Sequence, residues 1–141
     1  IRSKIGGCTN LNCYHLVTAS PGRTISAQPG YTFASQADGF AVEGFLFLPP
    51  GGEAAGGLPT VIEMHGGPYS RYGNAWSGRY PWHVLAGNGF AVLIANPRGG
   101  TGYGIEFEHA NFFDWGKGDL QDCLHGADFL AGLDWVDPAR M

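Results

Sequence analysis

The sequence predicts an α/β fold with a mostly parallel sheet that follows an opening β-hairpin. Two apolar runs, Thr60–Met64 and Phe90–Ala95, each end in a glycine-rich turn, and a segment with helical spacing follows each run. Runs without polar alternation are typical of strands that are covered on both faces, as in parallel sheets. Strands that alternate with helices indicate an α/β architecture.

The opening hairpin is predicted from strand composition on both sides of a turn dipeptide. Tyr31–Ser35 and Phe40–Leu48 are rich in aromatic and aliphatic residues, and Asp38-Gly39 lies between them. Pro29-Gly30 is a turn signal ahead of the hairpin, and a short strand is predicted at Tyr14–Thr18. The loop that runs to Pro59 is expected to be flexible and exposed.

Two helices are predicted from apolar spacing. The first covers Pro81–Gly87, where Trp82, Leu85 and Ala86 are spaced i, i+3, i+4. The second runs from about Asp119 to Asp134 and is closed by Asp137-Pro138. Its predicted inner face comprises Leu120, Cys123, Leu124, Ala127, Leu130, Ala131 and Trp135.

Composition excludes several classes of function. The net charge is −4 with 14% charged residues and no basic run, so nucleic-acid binding has no electrostatic basis. No apolar stretch approaches the ~18–20 residues that span a membrane. The first residue is Ile1 rather than Met, and we expect that the natural N-terminus is missing.

The cysteines allow two interpretations. Cys8, Cys13 and His15 resemble part of a metal site, but three ligands at an unusual spacing without a second Cys/His pair argue against zinc. Free thiols in a reduced compartment are the better interpretation, and we expect a cytoplasmic protein.

The glycine-rich turns after the two apolar strands are the candidate functional loops, because active groups gather at the carboxyl ends of parallel strands. Phosphate binding is not supported: Ile105 stands where Gly-x-Gly-x-x-Gly needs its last glycine, and Gly118 follows Lys117 where a Walker motif needs Ser or Thr. A second interpretation is that the glycines serve only to form tight turns and have no chemical role.

An oxyanion hole is the third interpretation. His65-Gly66-Gly67-Pro68 follows the third predicted strand. In α/β-hydrolases, one oxyanion donor comes from the loop after the third strand, often in a His-Gly-Gly motif. Preorganised N–H donors at such a position stabilise the transition state by roughly 3–4 kcal/mol each.

The motifs, taken together, resemble the prolyl oligopeptidase family of serine peptidases, especially its acylaminoacyl-peptidase and dipeptidyl-peptidase branches. The similarity covers residues 31–141. The matching segments are Asp38-Gly39 through Pro49, His65–Pro68, Gly89–Val92, Asn96–Gly104, Asp114–Gly116 with Asp119 and Asp122, and Asp137–Arg140.

That resemblance implies that the chain is the N-terminal half of an α/β-hydrolase domain and that a β-propeller precedes this domain in the sequence. It also implies peptides or other short molecules as substrates, and no metal or organic cofactor. It implies a serine nucleophile in a Gly-x-Ser-x-Gly-Gly elbow, completed by Asp and His. Gly67 becomes the candidate oxyanion N–H donor, and Gly66 permits the approach of substrate. His65 is expected to be structural, because the triad base follows the nucleophile in chain order.

The sequence leaves two roles open for several other candidate residues. Arg98 either contacts a substrate carboxylate or carbonyl, or pairs with Asp114 or Glu106, and the structural role is preferred. Tyr69, together with Tyr72 and Trp76, either lines the substrate cleft or packs. Trp115 and Asp122 are expected to be packing and capping residues.

We expect the chain to be a piece of a larger peptidase. Residues 1–30 would be a linker or the tail of a propeller, and residues 31–141 a partial peptidase domain. None of its six serines lies in Gly-x-Ser-x-Gly, so the chain alone is expected to be inactive, with its third strand as an exposed edge. A non-catalytic hydrolase-like binding module and a His-Gly-Gly esterase or lipase remain as alternatives. The oligomeric state is left open.

Overall fold

The computed structural model describes residues 26–34, 40–50, 52–73 and 77–141. Within these ranges, one four-stranded sheet has the order β1-β2-β4-β3. The strands are β1 (Ser26–Ala34), β2 (Ala41–Leu48), β3 (Thr60–Met64) and β4 (Ala91–Asn96). The first two interfaces are antiparallel and β3 pairs with β4 in parallel, so the sheet is mixed.

The opening hairpin is confirmed, but its first strand is longer than expected. β1 begins at Ser26, and Pro29-Gly30 lies inside it, where the register with β2 shifts between Gln28 and Tyr31. A bulge at an edge strand tolerates proline, because the missing N–H is not needed for the ladder. The predicted turn is therefore an irregularity within a strand. The predicted strand at Tyr14–Thr18 and the turn at Asp38-Gly39 lie outside the described residues.

Three α-helices accompany the sheet: α1 (Trp82–Gly87), α2 (Ile105–His109) and α3 (Gly118–Ala131). Helices α1 and α3 were predicted, whereas α2 was not. Helix α3 ends earlier than expected, and Asp137 instead caps a 3₁₀ turn at Pro138–Arg140 by accepting a hydrogen bond from the Ala139 N–H. None of these helices is long and apolar enough to cross a membrane.

Strand β4 separates two apolar clusters, and all of its residues are buried. Ala91, Leu93 and Ala95 pack with β2 and Leu130 of α3, whereas Val92 and Ile94 pack with Phe47, Tyr72 and Trp82. Alternate residues of a strand point to opposite faces, which explains the division. The continuous apolar run was therefore correctly interpreted as a strand covered on both faces.

The segment between β2 and β3 is more ordered than expected. It contains a 3₁₀ turn at Gly52–Ala55, and Leu58 is buried in the core. The Leu58 N–H donates to the Trp135 carbonyl at 2.8 Å, and the Asp137 N–H donates to the Leu58 carbonyl at 3.0 Å. The prediction of a flexible, exposed loop was wrong at this end, because Leu58 joins the segment after α3 to the sheet.

Helix α3 buries a narrower face than its spacing suggested. Cys123 and Leu130 are buried as expected, but Leu120 and Leu124 are 43% and 47% exposed. Asp122 and Gly126 are buried instead. The helix is therefore rotated from the predicted orientation, so that Asp122 lies on its buried face in place of Leu120 and Leu124.

Candidate active site

The loop that follows β3 leaves a backbone donor accessible. Gly67 has φ +147°, a conformation that side chains rarely adopt, and a Cβ placed on it would lie 3.1 Å from the Tyr69 nitrogen. The peptide bond between Gly67 and Pro68 is cis. Gly67 is exposed, and in the described part of the chain its N–H has no acceptor. Gly66 faces open space, so a ligand can approach the loop on that side.

His65 packs beneath this loop. Its ring meets the Tyr72 ring edge-on at 5.3 Å between centroids, and its Nδ1 lies 3.4 Å from the Gly66 carbonyl oxygen. Burial lowers the pKa of His65, and the Gly66 carbonyl opposes this only in part. The imidazole is therefore held neutral near pH 7, with contacts that suit a structural role.

The second glycine-rich loop contacts the first. A Cβ on Gly100 would lie 3.0 Å from the Ser70 carbonyl oxygen and 3.4 Å from Nε2 of His65. The Thr101 N–H donates to the same Ser70 carbonyl at 3.0 Å. The loops after β3 and β4 therefore lie against each other, as the parallel pairing of these strands predicts.

Gly99 begins this second loop in a conformation that requires glycine. Its φ is +89°, and a Cβ there would lie 2.1 Å from Nδ2 of Asn111. Asn111 is buried, and neither polar atom of its amide has a hydrogen-bond partner among the residues that the structure describes. The Gly99 N–H donates to the Phe107 carbonyl at 2.9 Å, which ties the loop to α2.

Asn96, the last residue of β4, joins both loops through its amide. Its Oδ1 accepts from the Tyr72 N–H at 2.7 Å, and its Nδ2 donates to the Tyr72 carbonyl at 2.9 Å. Nδ2 also lies 2.7 Å from the Tyr103 hydroxyl oxygen. Because Asn96 is fully buried, these bonds are shielded from competing water.

Two carboxylates complete this network. Glu63 of β3 accepts from the Tyr72 hydroxyl at 3.1 Å and from Nε1 of Trp82 at 2.6 Å. Glu43 of β2 accepts from the Tyr103 hydroxyl. Burial, reinforced by these acceptors, raises the pKa of both tyrosines above the usual range. Both phenols therefore remain protonated donors at any ordinary pH.

The sequence did not predict the roles of Asn96, Glu63 and Tyr103. Their partners lie on other strands and loops, so no local spacing relates them. The only available signal was the position of polar residues at the ends of apolar strands, where Asn96 ends β4 and Glu63 is the sole charged residue of β3.

Arg98 forms an ion pair with Asp122 of α3. Nη2 lies 2.7 Å from Oδ1, Nε donates to Oδ2 at 2.9 Å, and the Arg98 backbone N–H donates to Oδ2 at 2.9 Å. The side chains are 6% and 0% exposed, and the guanidinium lies over the Phe40 ring. The predicted partners Asp114 and Glu106 were wrong, and Asp122 fixes the loop instead of capping α3.

The aromatic residues that were predicted to line the cleft or to pack differ in their exposure to solvent. Tyr72 is buried, whereas Tyr69 is exposed, with its ring 6.2 Å from that of Phe112. Trp115 is 68% exposed, so its predicted packing role is not seen; with Phe112 and Phe113 it lines an open cleft of about 520 Å³. Trp76 lies outside the described residues.

A smaller cleft lies between the end of β3 and α3. Its volume is about 240 Å³, and it is lined by Met64, His65, Pro97, Gly116, Asp119, Leu120 and Cys123. Burial, with Asp122 nearby, raises the pKa of the Cys123 thiol to about 12, so this thiol is protonated and unreactive.

A metal centre has no support in the described ranges, where no three His, Cys, Asp or Glu residues group together. The predicted metal candidates Cys8, Cys13 and His15 lie outside those ranges.

The site offers a pair of loops held against each other, with an accessible N–H donor at the carboxyl end of a strand. Such a donor can stabilise negative charge on a carbonyl oxygen.

Comparison with known proteins relates the chain to peptidases. The sequence model of the prolyl oligopeptidase family matches residues 76–141. The uncharacterized peptidase YuxL of Bacillus subtilis is 36% identical over 119 residues, which are 84% of this chain and 18% of that protein. A probable dipeptidyl-peptidase 5 of Emericella nidulans is 32% identical over 100 residues, covering 70% of this chain and 14% of that protein.

Comparison with solved structures relates the chain to the same group of hydrolases. A puromycin hydrolase superposes with a TM-score of 0.73 at 29% identity, over 83% of this chain and 18% of its own. The acylaminoacyl peptidase of Pyrococcus horikoshii superposes with a TM-score of 0.68 at 26% identity, over 80% of this chain and 18% of that protein. The chain thus spans less than a fifth of each of these proteins. The predicted partial α/β-hydrolase fold and the predicted family are confirmed.

Proposed function

Because the chain belongs to the prolyl oligopeptidase family, we propose that it forms part of a serine peptidase that hydrolyses short peptides through an acyl-enzyme. Its own contribution is one half of an oxyanion hole, the N–H of Gly67. The nucleophile, acid and base come from outside these 141 residues, which contain no Gly-x-Ser-x-Gly. The chain by itself is then inactive.

The N–H of Gly67, which has no acceptor in the described part of the chain, carries this proposal. When a serine attacks a peptide carbonyl, negative charge develops on the oxygen, and a fixed donor stabilises that charge at little cost in reorganisation. Gly67 is exposed, and its positive φ directs the backbone along a path that other residues avoid. Contacts between Gly100 and Ser70 and the bonds of Asn96 hold the surrounding loops in place.

The relatives support a peptide substrate without defining it. The similar proteins are described as dipeptidyl-peptidases, an acylaminoacyl peptidase and a puromycin hydrolase. All of these names describe hydrolysis at short substrates, which is the class we propose here. We retain the cytoplasmic location as part of the proposal, and the oligomeric state stays open.

Kinetics of the gene product that carries this sequence test the role of Gly67. Gly67→Ala forces a side chain into a φ of +147° and displaces the N–H. We expect kcat on peptide substrates to fall by about 10²- to 10³-fold, the usual effect of losing one oxyanion donor. Gly73→Ala is the matched control, because a Cβ there meets nothing within 4 Å and no positive φ is involved.

The outcomes separate the competing functions. Equal activity of the Gly67→Ala variant and wild type would remove Gly67 from the oxyanion hole. Hydrolysis of simple esters without hydrolysis of peptides would support the alternative that the protein is a His-Gly-Gly esterase or lipase. A gene product that binds peptides but hydrolyses neither class would support the binding module.

A further inference from the structure

Arg71 is an exposed cation beside the candidate site without a fixed partner. Arg98 and Arg140 form ion pairs with Asp122 and Asp137. Arg71, in contrast, takes part in no ion pair or hydrogen bond with any residue that the structure describes. Arg71 lies close enough to the Tyr103 hydroxyl to oppose the rise of its pKa, and that hydroxyl donates a hydrogen bond to Glu43.

The side chain of Arg71 is nevertheless positioned. It lies over Gly102, where a Cβ would be 2.9 Å from Nη1 and 3.3 Å from Cδ of Arg71. Gly102 has φ +93°, so the backbone there favours glycine for two independent reasons. The side chain of Arg71 therefore packs against the second glycine-rich loop at a position where only glycine leaves room for it.

Arg71 and the N–H of Gly67 belong to one rigid unit. They are four residues apart, a separation that an extended chain spans in at most ~14 Å. The turn between them is compact, because the Ser70 N–H donates to the Pro68 carbonyl at 2.6 Å. The Ser70 carbonyl accepts from the Thr101 N–H, and Asn96 holds the backbone of Tyr72, so Arg71 is fixed on both sides.

We propose that Arg71 binds a carboxylate of the substrate, either the C-terminal carboxylate of a short peptide or an acidic side chain close to the scissile bond. This inference rests on the proposed peptidase function. The planar guanidinium matches a carboxylate with two parallel hydrogen bonds, and an arginine without an internal partner retains all its donors for a ligand. Its charge favours anionic over neutral peptides and defines a substrate class.

Matched peptide pairs test the inference on the gene product. One pair has the same sequence with a C-terminal carboxylate or a C-terminal amide, and the second has Glu or Gln beside the scissile bond. We expect kcat/KM to favour the anionic member of one pair by about 10- to 100-fold, chiefly through KM. The pair that shows the preference identifies the source of the carboxylate. The preference should decline at high salt.

Variants assign the effect to Arg71. Arg71→Gln should abolish the preference, because kcat/KM should fall much more for the anionic peptides than for the neutral ones, and Arg71→Lys should retain part of the preference, because lysine keeps the charge without the planar fork. Arg79→Gln is the control: Arg79 is also exposed, but its guanidinium lies over the Tyr80 ring. This variant should retain the full preference.

Three results would overturn the inference. Equal kcat/KM within both pairs, or a preference that survives Arg71→Gln, would refute carboxylate binding while the peptidase function stands. An equal loss on anionic and neutral peptides would show that Arg71 is structural. A wild-type gene product that cleaves no peptide would refute the peptidase function and, with it, this inference.

Discussion

Arg98 and Asp122 are both removed from water, so the charge of each depends on the other. Two charge-assisted contacts and a backbone N–H satisfy the Asp122 carboxylate. A Cβ on Gly118 would lie 2.9 Å from Cδ of Arg98, so α3 begins with a residue that makes room for this side chain. The pair therefore fixes the start of the second glycine-rich loop to α3.

Removing one partner of this pair should be costly. Asp122→Ala removes the carboxylate that contacts the buried Arg98 side chain and backbone N–H, and we expect the free energy of unfolding to fall by about 3–5 kcal/mol. Urea unfolding followed by tryptophan fluorescence measures the change. Asp114→Ala is the control, because the Asp114–Lys117 pair is exposed and should contribute little. Equal effects of the two substitutions would contradict the assigned role.

His65 should make stability depend on pH. Its folded pKa is lowered from 6.5 by burial, so below about pH 6.5 the unfolded chain binds more protons than the folded chain. The free energy of unfolding is therefore fully retained above that pH and decreases as the pH falls toward the folded pKa. The slope for one such group is at most about 1.4 kcal/mol per pH unit.

Unfolding measured between pH 5 and 7.5 tests this dependence. His65→Gln should reduce the slope, and the remainder comes from His83, whose pKa is also lowered by burial. His109→Gln provides the control, since His109 is exposed. An unchanged slope in the His65→Gln variant would refute the assignment.

At the scale of elements, Asn96 converts two separate loops into one unit. The carboxyl ends of β3 and β4 lie side by side, and the amide of Asn96 bonds the backbone of one loop and a side chain of the other. Strand pairing alone would bring the loops near each other. The three bonds of Asn96 determine how they are held.

Substitution of Asn96 should loosen both loops. In Asn96→Ala, the buried N–H and carbonyl of Tyr72 lose their partners, which costs about 1–3 kcal/mol of stability. Asn96→Asp should cost more, because it loses the same donor and also buries a negative charge against the Tyr72 carbonyl oxygen. Thermal unfolding and amide hydrogen exchange at Tyr72 measure both effects. Asn88→Ala, at an exposed helix end, serves as control; unaltered exchange at Tyr72 would count against the role.

The elements that the sequence predicted are those with strong local patterns. Strand β3 was predicted with its correct bounds, and β4, α1 and α3 with shifted ends. Helix α2 was missed, because its five residues lie between glycines and aromatic residues and carry too little periodicity. The partner of Arg98 was missed for a different reason: Asp122 lies 24 residues away, and only the rotation of α3 brings it into contact.

The candidate site was predictable only in part. The glycines of both loops were identified because backbone conformation at a strand end leaves a compositional signal. The polar network of Glu63, Asn96 and Tyr103 left none, since each contact joins distant segments of the chain. Composition can thus indicate where a loop is needed, whereas the residues that hold it depend on tertiary geometry.

For the whole molecule, the outer position of β3 is the main weakness. β3 pairs only with β4 in the described sheet, and Met64 at its end is 51% exposed. An apolar edge strand with unpaired N–H and carbonyl groups invites association with other chains. The predicted edge position of this strand is confirmed, and its consequence for solubility stays a prediction.

The 141-residue chain, produced alone, should be marginally stable and should self-associate. Met64→Lys places a charge at the edge and should lower the association, as lysines do on natural edge strands. Val84→Lys is the control: Val84 is 60% exposed, against 51% for Met64, but it lies on α1 rather than at the edge. Light scattering and sedimentation measure the change. A monomeric chain with a sharp, cooperative melt would contradict this prediction.

The contact between Gly99 and Asn111 has a consequence for how this sequence can evolve. A side chain at position 99 would meet the Asn111 amide at 2.1 Å and would also have to adopt φ +89°. Replacing either residue alone therefore opens a cavity or creates a clash, whereas a joint change can avoid the clash. We expect positions 99 and 111 to covary among homologues, with glycine at 99 wherever a side chain as large as asparagine occupies 111.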